Sequence, residues 1–245
     1  MVKSEVERNI SGMHYKYMIR LYLLMICLSF FFILVPAVER SGVDEKTFSL
    51  GIDISVHSGS VDWACFEKDR FDFVYLKASE GLDLVDAAFH AHRLEAKKIG
   101  IPTGAYHFFV TEDDASDQAK FFIETVGDDC GTLPPVLDIE LIGKNTRGDL
   151  ASSILNWLMI VEKKYGVKPV IYTSHNFWNA HVKTDFSGYH LWVAEYDVNQ
   201  PKLPGNWERW TLWQFRENVP LKWVEKGADI SRIHPDAVKL FKLDR

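Results

Sequence analysis

Cysteine is scarce in this chain of 245 residues: Cys27, Cys65 and Cys130 are all it has. None forms a Cys-x-x-Cys pair and no His-x-x-x-His spacing occurs, so neither a zinc site nor a redox centre is expected. His90 and His92, two apart in a helical stretch, face different ways and make no metal site. No cofactor is implied. Basic runs are lacking too. Lys and Arg total 28 against 34 Asp and Glu, a net charge of −6 with no basic stripe, which excludes nucleic acid as a partner. Internal repeats, low-complexity tracts and a linker to a second folded domain are absent.

Long apolar runs are limited to one, Leu21 to Val35, which at 15 residues falls short of the roughly 20 needed to cross a bilayer. Lys3, Arg8, Lys16 and Arg20 precede it, and Val35-Pro-Ala37 follows. This reads as a signal peptide with a small-residue cleavage site, or as an uncleaved anchor at the inner membrane. A start at Met13 or Met18 would give a more ordinary leader. Either way the positive flank sends the remainder out of the cytoplasm, to be secreted or periplasmic. The expected division is residues 1–37 as leader or anchor, 38–47 as polar linker and 48–245 as a catalytic domain, monomeric. After export Cys65 and Cys130 are the remaining pair, and geometry decides whether they form a disulfide.

What is present in quantity is apolar and aromatic. An apolar share of 47% can bury one large core, as a single α/β barrel or two small domains. Eight Trp, nine Tyr and 16 Phe supply either that core or flat faces for sugar rings. From Phe48 strand and helix signals alternate. Strands are expected at Ser49–Ile54, Phe71–Ala78, Ile101–Phe109, Leu133–Leu141, Pro169–Thr173, Leu191–Tyr196, Thr211–Phe215 and Ala228–Ile230. Helices are expected at Val61–Asp69, with Trp63 and Phe66 inward, at Leu84–Lys98, with Phe89, Leu94 and Ala96 near one face, and at Asp113–Val126. The clearest is Leu150–Tyr165, where Ile154, Leu155, Leu158 and Val161 follow helical spacing and Gly166 caps the end. Four strand-plus-helix units in succession predict a parallel barrel or a doubly wound sheet. The later strands crowd together, so the fold expected is α/β, a single TIM-like (β/α) barrel of about eight strands with helices reduced or missing in its C-terminal half.

The stretch Leu133-Pro-Pro-Val-Leu-Asp-Ile-Glu-Leu141 carries the strongest chemical signal. On a strand Val136, Asp138 and Glu140 share one face, with alternate Cα atoms roughly 6.5–7 Å apart. Two carboxylates this close on an apolar strand push their pKa values apart, so one can be an acid while its neighbour stays ionised. Glycoside hydrolysis needs such a pair. In parallel barrels functional groups collect at the C-terminal ends of strands. There the chain puts Asp53, Lys77, Glu80, Tyr106, His107, Asp138, Glu140, Tyr172, Trp192, Tyr196, Gln214 and Asp229.

The ordered set Gly51-Ile-Asp-Ile-Ser55, Val61-Asp-Trp63, Lys77-Ala-Ser-Glu-Gly81, Gly104-Ala-Tyr-His-Phe-Phe109, Gln118-Ala119, Pro135-Val-Leu-Asp-Ile-Glu140, Lys168-Pro-Val-Ile-Tyr172, Leu191-Trp-Val-Ala194 and Leu212-Trp-Gln214 resembles family-25 glycoside hydrolases, the Chalaropsis-type lysozymes or N-acetylmuramidases. The likeness runs from about Leu50 to about Asp236. It implies a peptidoglycan hydrolase that cuts the β-1,4 bond between N-acetylmuramic acid and N-acetylglucosamine with retention. By motif, Glu140 would be the general acid/base and Asp138 would steer the substrate's own N-acetyl group. Asp53 would hold the charge and orientation of that pair. Ala228-Asp-Ile230 stands where the family usually has Val-Asp, making Asp229 the fourth acid. Lys77, Glu80, Tyr106, His107, Tyr172, Trp192, Tyr196 and Gln214 would bind the glycan strand. For several, a structural role competes: Lys77 as an ion-pair partner, Tyr106 and Tyr172 as core, His107 as a satisfied buried histidine. Three rivals are set against this reading. A chitinase-like enzyme normally has further acids before its Asp-x-Glu, missing here. A wall-binding protein without turnover has no need of both acids. A metallohydrolase would use Asp53, His107 and Asp138.

Overall fold

The structure, a computed structural model, describes residues 48–146, 148–239, 241 and 243. The leader, the linker and Cys27 lie outside the described residues. Strand β1 (Ser49–Ile54) shows how the strands are built: Leu50, Ile52 and Ile54 point out into one core, while Gly51 and Asp53 point in. The same alternation runs through β2 (Phe73–Glu80), β4 (Thr103–Phe108), β5 (Val136–Asp138), β6 (Val170–Ser174), β7 (His190–Ala194), β8 (Leu212–Leu221) and β9 (Val224–Ile233). These eight strands close into a barrel in the order β1-β9-β8-β7-β6-β5-β4-β2, with β2 pairing back to β1. A two-residue strand, β3 (Leu84–Val85), adds antiparallel to β2 outside the ring.

Two apolar layers follow from the alternation. Outward residues such as Leu76, Leu137 and Ile171 pack with the helices α1 (Phe89–Ile99), α2 (Ala115–Val126), α3 (Leu150–Tyr165) and α4 (His175–His181). Inward residues Phe73, Tyr75, Val136, Val170, Trp192, Leu212 and Ile233 fill the barrel, and Phe241 and Leu243 complete that cluster. Glycine makes room for the aromatics. Gly51 lies opposite Phe73 and Gly104 opposite Tyr75; a Cβ at either position would sit 2.2 or 2.3 Å from the facing ring. Helix α3 has the boundaries its sequence predicts. Asp149 accepts from the backbone N–H of Ser152 at its head, and Gly166 turns left-handed (φ 72°) at its tail.

Several expectations are corrected. Seven barrel strands are parallel, but β9 runs antiparallel to both β8 and β1. Only Leu221-to-Val224 separates β8 from β9, and a crossover to a parallel neighbour takes a dozen residues or more. Val61–Asp69 is no helix. It holds one 3₁₀ turn, Trp63–Cys65, though Trp63 and Phe66 are buried as expected. The helix expected from Leu84 begins at Phe89, because Leu84 and Val85 pair with β2. The Asp-x-Glu strand is only three residues long, so Glu140 lies just past its end. Leu94 and Leu155 are exposed. Cys65, exposed, and Cys130, half-buried, are both free thiols, so the disulfide is not formed.

Candidate active site

Four carboxylates meet inside the carboxyl ends of the parallel strands. Asp53 comes from β1, Asp138 from β5, Glu140 from just beyond it and Asp229 from β9; with Tyr106, Val136, Tyr172, Trp192 and Gln214 they line a cleft of about 130 Å³. The antiparallel course of β9 matters here, because its register sets Asp229 directly opposite Asp53. The β5 register sets Asp138 beside Phe108 on one neighbour and Tyr172 on the other.

The acids are not equivalent. Asp53 Oδ2 accepts from Gln214 Nε2 at 2.9 Å, and Asp229 Oδ1 accepts from the backbone N–H of Asn218 at 2.7 Å. Asn218 is left-handed (φ 51°), a conformation asparagine tolerates better than most residues. On the β5 side, Asp138 is buried and its Oδ1 has no hydrogen-bond partner among the described residues. Burial raises the affinity of all four for protons. For Asp53, burial comes first and Asp229 second, opposed by Gln214. For Asp138, burial is followed by Glu140, opposed by Lys77. Glu140 is raised by burial and then Asp229, again opposed by Lys77. Asp229 is raised by burial, with the Asn218 N–H pulling the other way. This is a cluster that holds protons above the ordinary carboxylate range.

The remaining predicted residues divide. Tyr106, Tyr172, Trp192 and Gln214 line the cleft. Trp192 and Gln214 are each only 2% exposed; the Trp192 indole N–H is given to Ser231 Oγ, so Trp192 is a wall with its polar atom already used. Tyr196 reaches the same group through its hydroxyl on Gln214 Oε1. Lys77 is buried, pairs with Glu80 at 2.6 Å and lies over the Phe108 ring, which makes it the cation that tempers Asp138 and Glu140. His107 is corrected. It points out of the barrel, fully buried, stacked on Trp157, with Nδ1 on Ser79 Oγ and Nε2 on Gln118 Oε1. Burial lowers its pKa to about 4, so it is a neutral structural group. The metallohydrolase set is thereby broken up, and among the described residues no group of three His, Cys, Asp or Glu has the arrangement of a metal site. The Asn218 N–H was not foreseeable, since a backbone donor leaves no mark on residue type.

A larger recess, about 560 Å³, opens among Tyr189, His190, Trp207, Arg209, Trp210 and His234. It lies at the opposite ends of β7 and β8, shares no residue with the acidic cleft, and its Asp236 is tied to Arg209 and His234. The chemistry belongs to the smaller cleft.

A closed barrel with inward carboxylates gathered where its parallel strands end is the build of a glycoside hydrolase. The comparisons agree. The model for glycosyl hydrolases family 25 matches residues 52–223, and the chain belongs to that family. It is 36% identical over 186 residues to the uncharacterized protein YegX of Escherichia coli K12, covering 74% of this chain and 68% of that one. It is 30% identical over 228 residues to lysozyme M1 of Streptomyces globisporus, covering 83% and 76%. Among solved structures, the bacterial lysozyme of Streptomyces coelicolor superposes with a TM-score of 0.71 at 28% identity, over 80% of this chain and 96% of that one.

Proposed function

We propose that the protein is a lysozyme of the N-acetylmuramidase type, cleaving the β-1,4 bond between N-acetylmuramic acid and N-acetylglucosamine in peptidoglycan with retention. The observation that carries this reading is the unequal carboxylate pair at the end of β5. Glu140 is half-buried at the end of the strand and, like the more deeply buried Asp138, is raised in pKa by burial. It is the group suited to hold a proton and deliver it to the leaving glycosidic oxygen. Asp138 Oδ1 is buried and unpartnered in the same cleft. The N–H of a 2-acetamido group would supply its missing donor, and a sugar so held can attack its own anomeric carbon through the acetyl oxygen. Asp53 and Asp229 then complete the negative lining that favours an oxocarbenium-like transition state. Glycan strands are the partner. The site lies in a domain spanning 48–245, exported behind the leader or anchor of residues 1–37.

The test is a pair of variants on purified peptidoglycan. Glu140→Gln should fold and lose roughly a hundred- to ten-thousand-fold in turnover. Asp138→Asn should lose less, because its part is to steer. Full lysis by Glu140→Gln would defeat the assignment of the acid.

A further inference from the structure

Gln214 lines the cleft yet is 2% exposed, and its side chain makes three hydrogen bonds. Its amide oxygen accepts from the Tyr172 hydroxyl at 2.8 Å and from the Tyr196 hydroxyl at 2.6 Å. Its nitrogen donates to Asp53 Oδ2 at 2.9 Å. An amide oxygen has two lone pairs, and both are occupied. Turning the amide over would set its oxygen against the Asp53 oxygen and strip both tyrosines of their acceptor. The two hydroxyls therefore lock the amide with its N–H toward Asp53.

We propose that Gln214 is a positioning residue: its locked N–H favours the ionised form of Asp53 over the protonated one, and so biases the proton of the acid cluster across the cleft toward Glu140. A hydrogen bond given to the charged form of an acid favours that form. Asp229, opposite Asp53, is served the same way by the Asn218 N–H. Strand β8 thus supplies one donor to each flanking acid, while across the cleft Asp138 Oδ1 receives none among the described residues. The other ionisable groups acting on Asp53 and its partners are Asp138 from β5 and Glu140 just past it, Glu80 from β2, Glu217 from β8, the phenols Tyr106, Tyr172 and Tyr196, and the cation Lys77. Burial raises the affinity of all three phenols for their protons, so they stay neutral and leave the sorting to the acids and the two donors. A second consequence concerns the substrate. Tyr172 and Tyr196 have each spent their one O–H on Gln214, so toward a sugar they offer only lone pairs and select its O–H and N–H groups.

This inference rests on the muramidase reading, and the experiment separates the two. The Asp53 carboxyl is followed by carbon-13 NMR titration, assigned with Asp53→Asn, in the wild-type chain and in Gln214→Met, which keeps the length and removes the donor. In parallel the pH profile of kcat/KM is recorded on purified peptidoglycan. A hydrogen bond to a charged group contributes about 1.5–3 kcal/mol, which converts to an upward move of the Asp53 midpoint by about one to two pH units. The acid limb of kcat/KM should move the same way, with KM on the plateau little changed. An unmoved Asp53 titration, or a pH-independent rise in KM, would overturn the proposal and make Gln214 a plain sugar contact. Should Gln214→Met fail to fold, Tyr172→Phe/Tyr196→Phe frees the amide to turn. The same upward shift is then expected, and its absence would again overturn the proposal. The NMR arm needs no turnover: a wild-type chain inactive on the wall would refute the enzyme reading alone.

Discussion

At the residue scale the site is a contest over protons. Burial and mutual repulsion raise the pKa of Asp53, Asp138, Glu140 and Asp229. A carboxyl whose folded pKa is raised stabilises the fold at low pH and loses that contribution as pH rises past its ordinary value. Removing one such charge should therefore stabilise the protein at neutral pH: Glu140→Gln is expected to melt higher than wild type at pH 7, with the gain shrinking toward pH 4. A lower melting temperature at pH 7 would contradict this sign. His107 runs the opposite way. Its pKa falls from 6.5 to about 4 on burial, so its stabilisation is complete above about 6.5 and drains away as pH drops toward 4. Proton NMR should find an imidazole still neutral at pH 5.5; one titrating near 6.5 would show that His107 is not sealed in. Asp138 and Glu140 were legible in sequence because two acids on an otherwise apolar strand break its pattern. The role of Gln214 was not, because its partners stand 18, 42 and 161 residues away and only the folded barrel brings them together.

At the scale of elements, α3 was readable end to end because its information is local: an Asp cap, a buried stripe of Ile154, Leu158 and Val161, and a glycine stop. Asp149→Ala should cost about 1 kcal/mol by chemical denaturation, the usual effect of losing a cap; no change would mean that the cap bond does not form in solution. The apolar pattern marks only Ala228–Ile230 of the ten-residue β9 and carries no sign of its direction, because Glu225 and Lys226 give the strand's start the look of a loop. The β8–β9 arm is in fact pinned from outside. Trp223 packs against Phe66 and Phe71 and donates to Glu67 Oε1, and Glu225 accepts from Ser60. Because Asn218 and Asp229 belong to this arm, Trp223→Ala should lower kcat/KM together with stability although it touches none of the four cleft acids. Wild-type kinetics in that variant would separate the arm from the site.

At the scale of the whole molecule, the ring closes only because its interior is graded. Two glycines accept two aromatic rings, and above them the side chains become acidic. Gly51→Ala drives a methyl into the Phe73 ring, which cannot swing aside in a filled barrel, and should cost about 1–3 kcal/mol. Closure by an antiparallel strand, with few helices flanking its later half, sets Asp229 opposite Asp53 and so completes the acidic lining. The eightfold strand count and the thinning of helices were visible in the spacing of apolar runs, whereas strand direction depended on a connection too short to cross over. The most direct measurement on the whole protein is the chemistry of the ends it leaves. Peptidoglycan digested by the purified protein should carry new reducing ends on N-acetylmuramic acid. New reducing ends on N-acetylglucosamine instead, or none at all, would contradict the account.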